Sequence, residues 1–200
     1  SQTVQSENAA LRSAVEATGQ NNTASTGEAG VSVVPGPSAI NERNRANNTL
    51  AYTLAINVGK IRDMNPVTKL TGLEMSDKSK KPSEQISEFF RSIGNKVFRN
   101  GLGDVSLGKY GIGSMLNHRP LNRAKMVSLA AVPDVIKNGR QINYDPDWKG
   151  RGYPSYIFAA PVKVGASDVF VAAVVNQLPD NRFYLSEMVD SDGNYVRIEE

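Results

Sequence analysis

A single histidine, His118, and the cations spread around it are the residues of this chain best suited to chemistry. An imidazole gains and loses a proton near neutrality, and guanidinium or ammonium groups hold the charge that builds on a phosphoryl group during displacement. Arg119 follows His118 and precedes Pro120 at an expected helix start, where backbone donors help to bind phosphate. Arg123 and Lys125 come next. At about 100° per residue they diverge by about 200°, so at most one aims with His118 into a shared cleft, and Lys125 is the better candidate. Trp148-Lys149-Gly150-Arg151-Gly152-Tyr153 joins a stacking surface, a flexible backbone and two cations. That suits the rim of a site for single-stranded RNA, where stacking on an aromatic ring contributes about 1–3 kcal/mol per base. Tyr184 offers a hydroxyl to a phosphate or ribose. It shares a strand face with Ser186, two residues on, while Phe183 and Leu185 face the other way. Plainer roles stand beside these: a helix-capping imidazole for His118, a solvated charge for Arg119, a lid on the core edge for Trp148 and a core tyrosine for Tyr184.

The chemistry such a set can perform is metal-independent cleavage of RNA. A base takes the 2′-hydroxyl proton, the oxygen attacks the adjacent phosphorus, an acid protonates the leaving 5′-oxygen, and cations hold the phosphoryl charge. No metal or cofactor is called for. Charge patterning agrees: from Lys60 to Arg151 there are 17 Lys/Arg against 9 Asp/Glu, whereas residues 1–59 carry 3 against 4 and residues 152–200 carry 3 against 7. A formal net charge of +3 therefore hides a basic middle, as a polyanion-binding surface requires.

Other chemistries find little support. The absence of cysteine removes disulfides, thiolate catalysis and cysteine-type zinc sites, and fits a cytoplasmic protein. One histidine makes no metal-binding pair. Gly101-Leu102-Gly103 and Gly111-Ile112-Gly113 lack the Lys-Ser/Thr of a phosphate-binding loop and read as turns. Asp145 with Asp147, and Asp190 with Asp192, follow no calcium-loop pattern. Ser114 lies outside any Gly-x-Ser-x-Gly elbow. Apolar runs such as Tyr156–Val162 are far shorter than the roughly 20 residues of a membrane helix. The opening Ser1-Gln2-Thr3 carries no signal-peptide pattern and reads as the cut end of a longer polypeptide.

Residues 1–48 read as a low-complexity arm or linker, polar and punctuated by Gly and Pro, with a short helix over about 7–16. Residues 49–65 form an accessory segment that docks on a domain spanning 66–200. Within it, Pro82 opens a helix that stops at Gly94, and Val97-Phe98 and Val105–Leu107 flank a tight reversal as an N-terminal hairpin. Arg119-Pro120 opens a second helical stretch, broken at Pro133 into a bent pair that ends at Asn138-Gly139. Four β-rich runs follow, Tyr156–Val164, Val169–Val175, Arg182–Val189 and Tyr195–Ile198, separated by short turns. The expected class is α+β: helices packed on one face of a roughly four-stranded antiparallel sheet.

Gly111–Pro120, Val132–Ile136, Gly139, Trp148–Tyr153, Ala159–Val162 and Asn181–Leu185 together resemble the barnase/EndoU/colicin/RelE-like domains of large phage and mobile-element polyvalent proteins. The likeness runs from about Pro66 to Val196. It implies two helices followed by a four-stranded antiparallel sheet, and a toxin-like endoribonuclease acting on RNA such as tRNA or mRNA. It also implies a neutralising immunity or antitoxin protein, and delivery into a host cell with phage or element DNA. Such domains carry His where Ser186 stands. The catalytic set the resemblance and residues suggest is then His118, Arg119, Arg151, Tyr184 and Ser186, with Lys125, Arg123, Trp148, Lys149 and Tyr153 contacting RNA. A silent relative that only grips nucleic acid or a partner is the alternative, and a virion-packaged structural module is a third.

Overall fold

The runs Ser155–Val164 and Ser167–Gln177 are buried along most of their length on both sides, so a strand built from either must be covered on both faces. A computed structural model describes residues 49–108 and 121–198. Helix α1 spans residues 49–57 and runs into a 3-10 turn, Val58–Lys60. There follow β1 (Lys69–Leu70), α2 (Pro82–Ser92), β2 (Lys96–Arg99), β3 (Gly103–Ser106), α3 (Arg123–Asn138), β4 (Arg140–Asp145), β5 (Ser155–Val164), β6 (Ser167–Gln177), β7 (Phe183–Asp190) and β8 (Tyr195–Arg197). No helix among the described residues is long and apolar enough to cross a membrane. The expected arm, the helix over 7–16 and the Gly111–Pro120 motif lie outside the described residues.

The meander is present, since β5, β6, β7 and β8 pair antiparallel in succession. The expectation of a four-stranded antiparallel sheet is nevertheless corrected to a mixed sheet of eight strands, ordered β1-β5-β6-β7-β3-β2 with β4 on β5 and β8 on β7. Long strands leave long edges, and backbone donors and acceptors along an edge need partners. The outer edge of β5 is divided between antiparallel β4 and parallel β1, and that of β7 between antiparallel β8 and parallel β3. Pro161, with no N–H to donate, falls in the gap where β4 pairing has ended at Ala159 and β1 pairing begins at Lys163. The hairpin β2–β3 forms as expected and joins the sheet through β7.

Placing the helices on one face is likewise corrected. Phe158, Ala160 and Val162 of β5 pack with Val171 and Ala173 of β6 against α2 and α3. Ile157 and Ala159, with Ala172 and Val174, face the other way against Leu50 and Leu54 of α1, Ile61 and Trp148. The alternation of a two-sided buried strand requires this second cover, and residues 49–65 supply it.

Nor is the second helix broken at Pro133: α3 is one continuous helix. Pro133 cannot donate to the preceding turn, a cost of about 3 kcal/mol in a helix interior. The helix buries Met126 to Pro133 without interruption, then Val135 and Ile136, and that packing outweighs the lost bond. Asn122 caps its start by accepting from Lys125 N at 2.9 Å. Its end is closed by Arg99, whose guanidinium donates to the carbonyls of Ile136 (2.7 Å) and Gly139 (2.8 Å) while lying 3.8 Å from the centre of the Phe158 ring.

Candidate functional site

The loop from β4 to β5 is tied to itself before it reaches anything else. Asp145 Oδ1 accepts Asp147 N at 2.8 Å, and Asp147 Oδ1 accepts Gly152 N at 2.6 Å, so the two acids serve the loop's own backbone. Lys149 (φ 60) and Gly150 (φ 68) reverse the chain with two successive left-handed residues. Gly accepts that conformation freely, whereas a lysine there is strained and must be held from outside.

The holding group is Glu187 of β7. Its register partner in β6 is Val174, while Val175 pairs with Leu185, which leaves Ser186 as an extra residue in a β-bulge. Without the bulge Glu187 would share a face with Leu185, inside the α3 core. The inserted residue turns Glu187 onto the opposite face, beside Trp148 and Val174. There the carboxylate, 0% exposed, accepts Trp148 Nε1 at 3.0 Å, Tyr195 Oη at 3.0 Å and the Lys149 ammonium in an ion pair. Burial, with Arg151 and Arg197 nearby, pushes the Lys149 ammonium down to about 7. The carboxylate pulls the other way, but removing an ammonium from water is the larger effect, so Lys149 titrates well below an ordinary lysine.

Beside this cluster runs a row of polar side chains across the sheet. Ser155, Asn176 and Tyr184 are register partners on β5, β6 and β7. Ser155 Oγ donates to Asn176 Oδ1 at 2.6 Å, Asn176 Nδ2 donates to Tyr184 Oη at 2.9 Å, and the Tyr153 hydroxyl lies 3.3 Å from that of Tyr184.

A family model, large polyvalent protein-associated domain 3, matches residues 77–185. The chain belongs to that family. The matched part of this polyvalent protein-associated domain runs from the turn before α2 into β7, so it includes the Trp148–Tyr153 loop, Asn176 and Tyr184 and stops just short of Ser186 and Glu187. No curated protein and no solved structure matches it.

Among the residues singled out from sequence, Trp148 and Lys149 gather on Glu187, Arg151 lies near Lys149, and Tyr153 meets Tyr184. Trp148 covers the core edge at 3% exposure, so its ring is not offered for stacking. Arg123 points elsewhere: it donates to the carbonyls of Gly72 (3.1 Å), Met75 (2.7 Å) and Glu74 and holds that loop to α3. Lys125 is half-buried in the first turn of α3. Ser186 is 1% exposed, its hydroxyl has no hydrogen-bond partner and its carbonyl accepts Ile198 N at 2.7 Å. The bulge also interrupts the alternation expected to pair it with Tyr184. His118 and Arg119 lie outside the described residues. Glu187, Asn176, Tyr195 and Arg197 were not singled out. A lone acid between Leu185 and Val189, and an amide closing the apolar run Val169–Val175, were the available signals.

Proposed function

We propose that this domain is a metal-independent endoribonuclease of a phage or mobile-element polyvalent protein, opening RNA by attack of a 2′-hydroxyl on the adjacent phosphorus. The observation that carries the reading is Lys149, a largely buried amine ion-paired with Glu187 and drawn to about 7 by its burial, with Arg151 and Arg197 nearby. A group that exchanges protons near neutrality among cations meets two needs of this reaction, proton transfer and stabilisation of phosphoryl charge. His118, on sequence grounds, is the second titrating group. Arg151 and the Tyr153–Tyr184 hydroxyls contact the phosphodiester, RNA being the partner in the cytoplasm of the invaded cell and an immunity protein its antagonist there.

Ser186 favours a second reading, a silent module that grips RNA without cutting it. A hydroxyl 1% exposed is no proton carrier for a bound substrate, and it stands where the resembled domains carry His. Incubating the protein with total RNA in EDTA decides between them. Products ending in 2′,3′-cyclic phosphate, lost in His118→Ala and reduced at least tenfold in Lys149→Arg, support the nuclease. Salt-sensitive binding with intact RNA supports the silent module, and the absence of both removes RNA as the partner.

A further inference from the structure

A single exposed apolar side chain is ordinary, and Phe98, 61% exposed on β2, becomes informative through the residues that share its face. Register fixes that face. Phe98 pairs with Asp104, Lys96 with Ser106, and Ser106 in turn with Tyr184. Register partners point to the same side of a sheet, so Phe98 and Lys96 lie on the side of Tyr184, Asn176 and Ser155, opposite Val97 and Val105, which pack toward α3. Trp148 and Glu187 occupy that same side. Its cover stops part-way across: Leu50, Leu54, Ile61 and Trp148 close it over β5, β6 and Val189, whereas Lys96, Phe98 and Asp104 on β2 and β3 are all exposed. Phe98 belongs to neither apolar cluster. At about 4.8 Å between strands and about 3.3 Å per residue, its backbone lies about 12 Å from that of Tyr184, a span that neighbouring nucleotides of one strand can bridge. Charge does not oppose this, because Lys96 donates to Asp104 at 2.9 Å with the two side chains 61% and 55% exposed. An ion pair so open to water gives up its cation to a phosphate at little cost.

We propose that Phe98 is a stacking platform for an unpaired base of single-stranded RNA, with Lys96 on a neighbouring phosphate, so that the candidate site extends from the Trp148–Tyr153 loop across Tyr184 onto β3 and β2. The ligand class rests on the RNA reading above, whereas the open aromatic face does not. Every base presents a π-face, so such a platform adds affinity and bound length rather than sequence preference.

The probe is a 2′-O-methyl oligouridine, which cannot be opened by attack of a 2′-hydroxyl. Phe98→Ala is expected to bind it about fivefold more weakly or worse, the loss of one stacked base, with the slope of log affinity against log salt unchanged because no cation is removed. Phe98→Leu should lose as much, since it keeps an apolar contact without a ring, and Phe98→Trp should retain wild-type affinity. Lys96→Ala should instead lower the slope by about 0.7, and an unchanged slope there overturns the part given to Lys96. The same oligonucleotide carrying 5-bromouridine should photocrosslink to Phe98 in the wild type. Wild-type affinity in Phe98→Ala, or full affinity kept by Phe98→Leu, overturns the platform while RNA binding and the proposed function stand. A wild-type dimer that Phe98→Ala splits, with RNA affinity unchanged, gives the face to a second copy and overturns it as well. Binding that depends on Phe98 while cleavable RNA stays intact supports the platform and strikes the nuclease. Absence of RNA binding by the wild type strikes both.

Discussion

The ammonium of Lys149 is ion-paired with the carboxylate of Glu187 where neither has much access to water: their side chains are 16% and 0% exposed. Attraction in such a setting offsets desolvation only while every donor and acceptor is matched, and here the carboxylate also accepts Trp148 and Tyr195. Removing one partner exposes the cost of the other. Glu187→Ala strands an ammonium, an indole N–H and a phenol together, and urea denaturation is expected to show a loss of about 3–5 kcal/mol. A loss below about 1 kcal/mol would mean that water already reaches the cluster.

The same pair gives stability a pH dependence with a defined sign. An ordinary lysine in the unfolded chain keeps its proton to about 10.4, whereas Lys149 in the fold releases it near 7. Between those limits the unfolded state binds more protons, so unfolding free energy from this group rises with pH. The penalty for the buried charge is fully present below about 7 and is relieved as pH climbs toward 10. Chemical denaturation at pH 6.5, 8 and 9.5 should show that rise in the wild type and a flatter profile in Lys149→Met. Parallel profiles would place Lys149 in water.

Asp190 supplies the opposite slope. Burial raises its carboxyl above the usual range, although Ser128 Oγ (2.6 Å), Asn194 Nδ2 (2.9 Å) and the backbone of Asp192 (3.0 Å) and Asn194 (2.9 Å) all donate to it. A carboxyl raised in the fold favours folding most below its unfolded value, and that contribution is lost as pH rises through the folded one. Denaturation between pH 4 and 7 should show wild-type stability falling relative to Asp190→Asn across this window. A constant difference would indicate that the four donors outweigh burial.

These charged pairs also show where the sequence could be read and where it could not. Strands β5 to β8 were legible because β-branched and aromatic runs were separated by short turns, and α2 because Pro82 and Gly94 mark its ends. β1 has two residues and no period, so its parallel pairing was invisible. Pro133 read as a break because local propensity carries no information on how much of α3 is buried. The clearest loss came at Ser186: strand alternation presumes an unbroken register, and one inserted residue exchanges the faces of everything after it. Unbroken alternation would put Glu187 on the Leu185 side, which hides it as the anchor of Lys149 although the loop it holds is legible in the sequence.

Gly139 tests how tightly α3 is set on the sheet. Its φ of −67° is ordinary, so conformational freedom is not the reason for glycine. A Cβ there would meet the Val135 carbonyl oxygen at 2.3 Å and that of Ala159 at 3.0 Å, both backbone atoms that cannot swing aside. Gly139→Ala is expected to cost about 1–3 kcal/mol in urea denaturation, as overpacking does. A neutral substitution would show that the helix end can lift from β5.

Two arginines of the basic middle should separate cleanly once RNA binding is measured against salt. Each cation on a phosphate of single-stranded RNA contributes about 0.7 to the slope of log affinity against log salt. Arg151, beside Lys149 at the rim of the site, is expected to account for one such unit, so Arg151→Ala should lower the slope by about 0.7 with little change in stability. Arg123 is committed to three carbonyls of the loop before α2. Arg123→Ala should leave the slope unchanged and instead loosen that loop, seen as faster hydrogen exchange at residues 72–75. If Arg123→Ala lowers the slope and Arg151→Ala does not, the RNA path runs along α3 rather than over the Trp148–Tyr153 loop, and the proposed site is displaced with it.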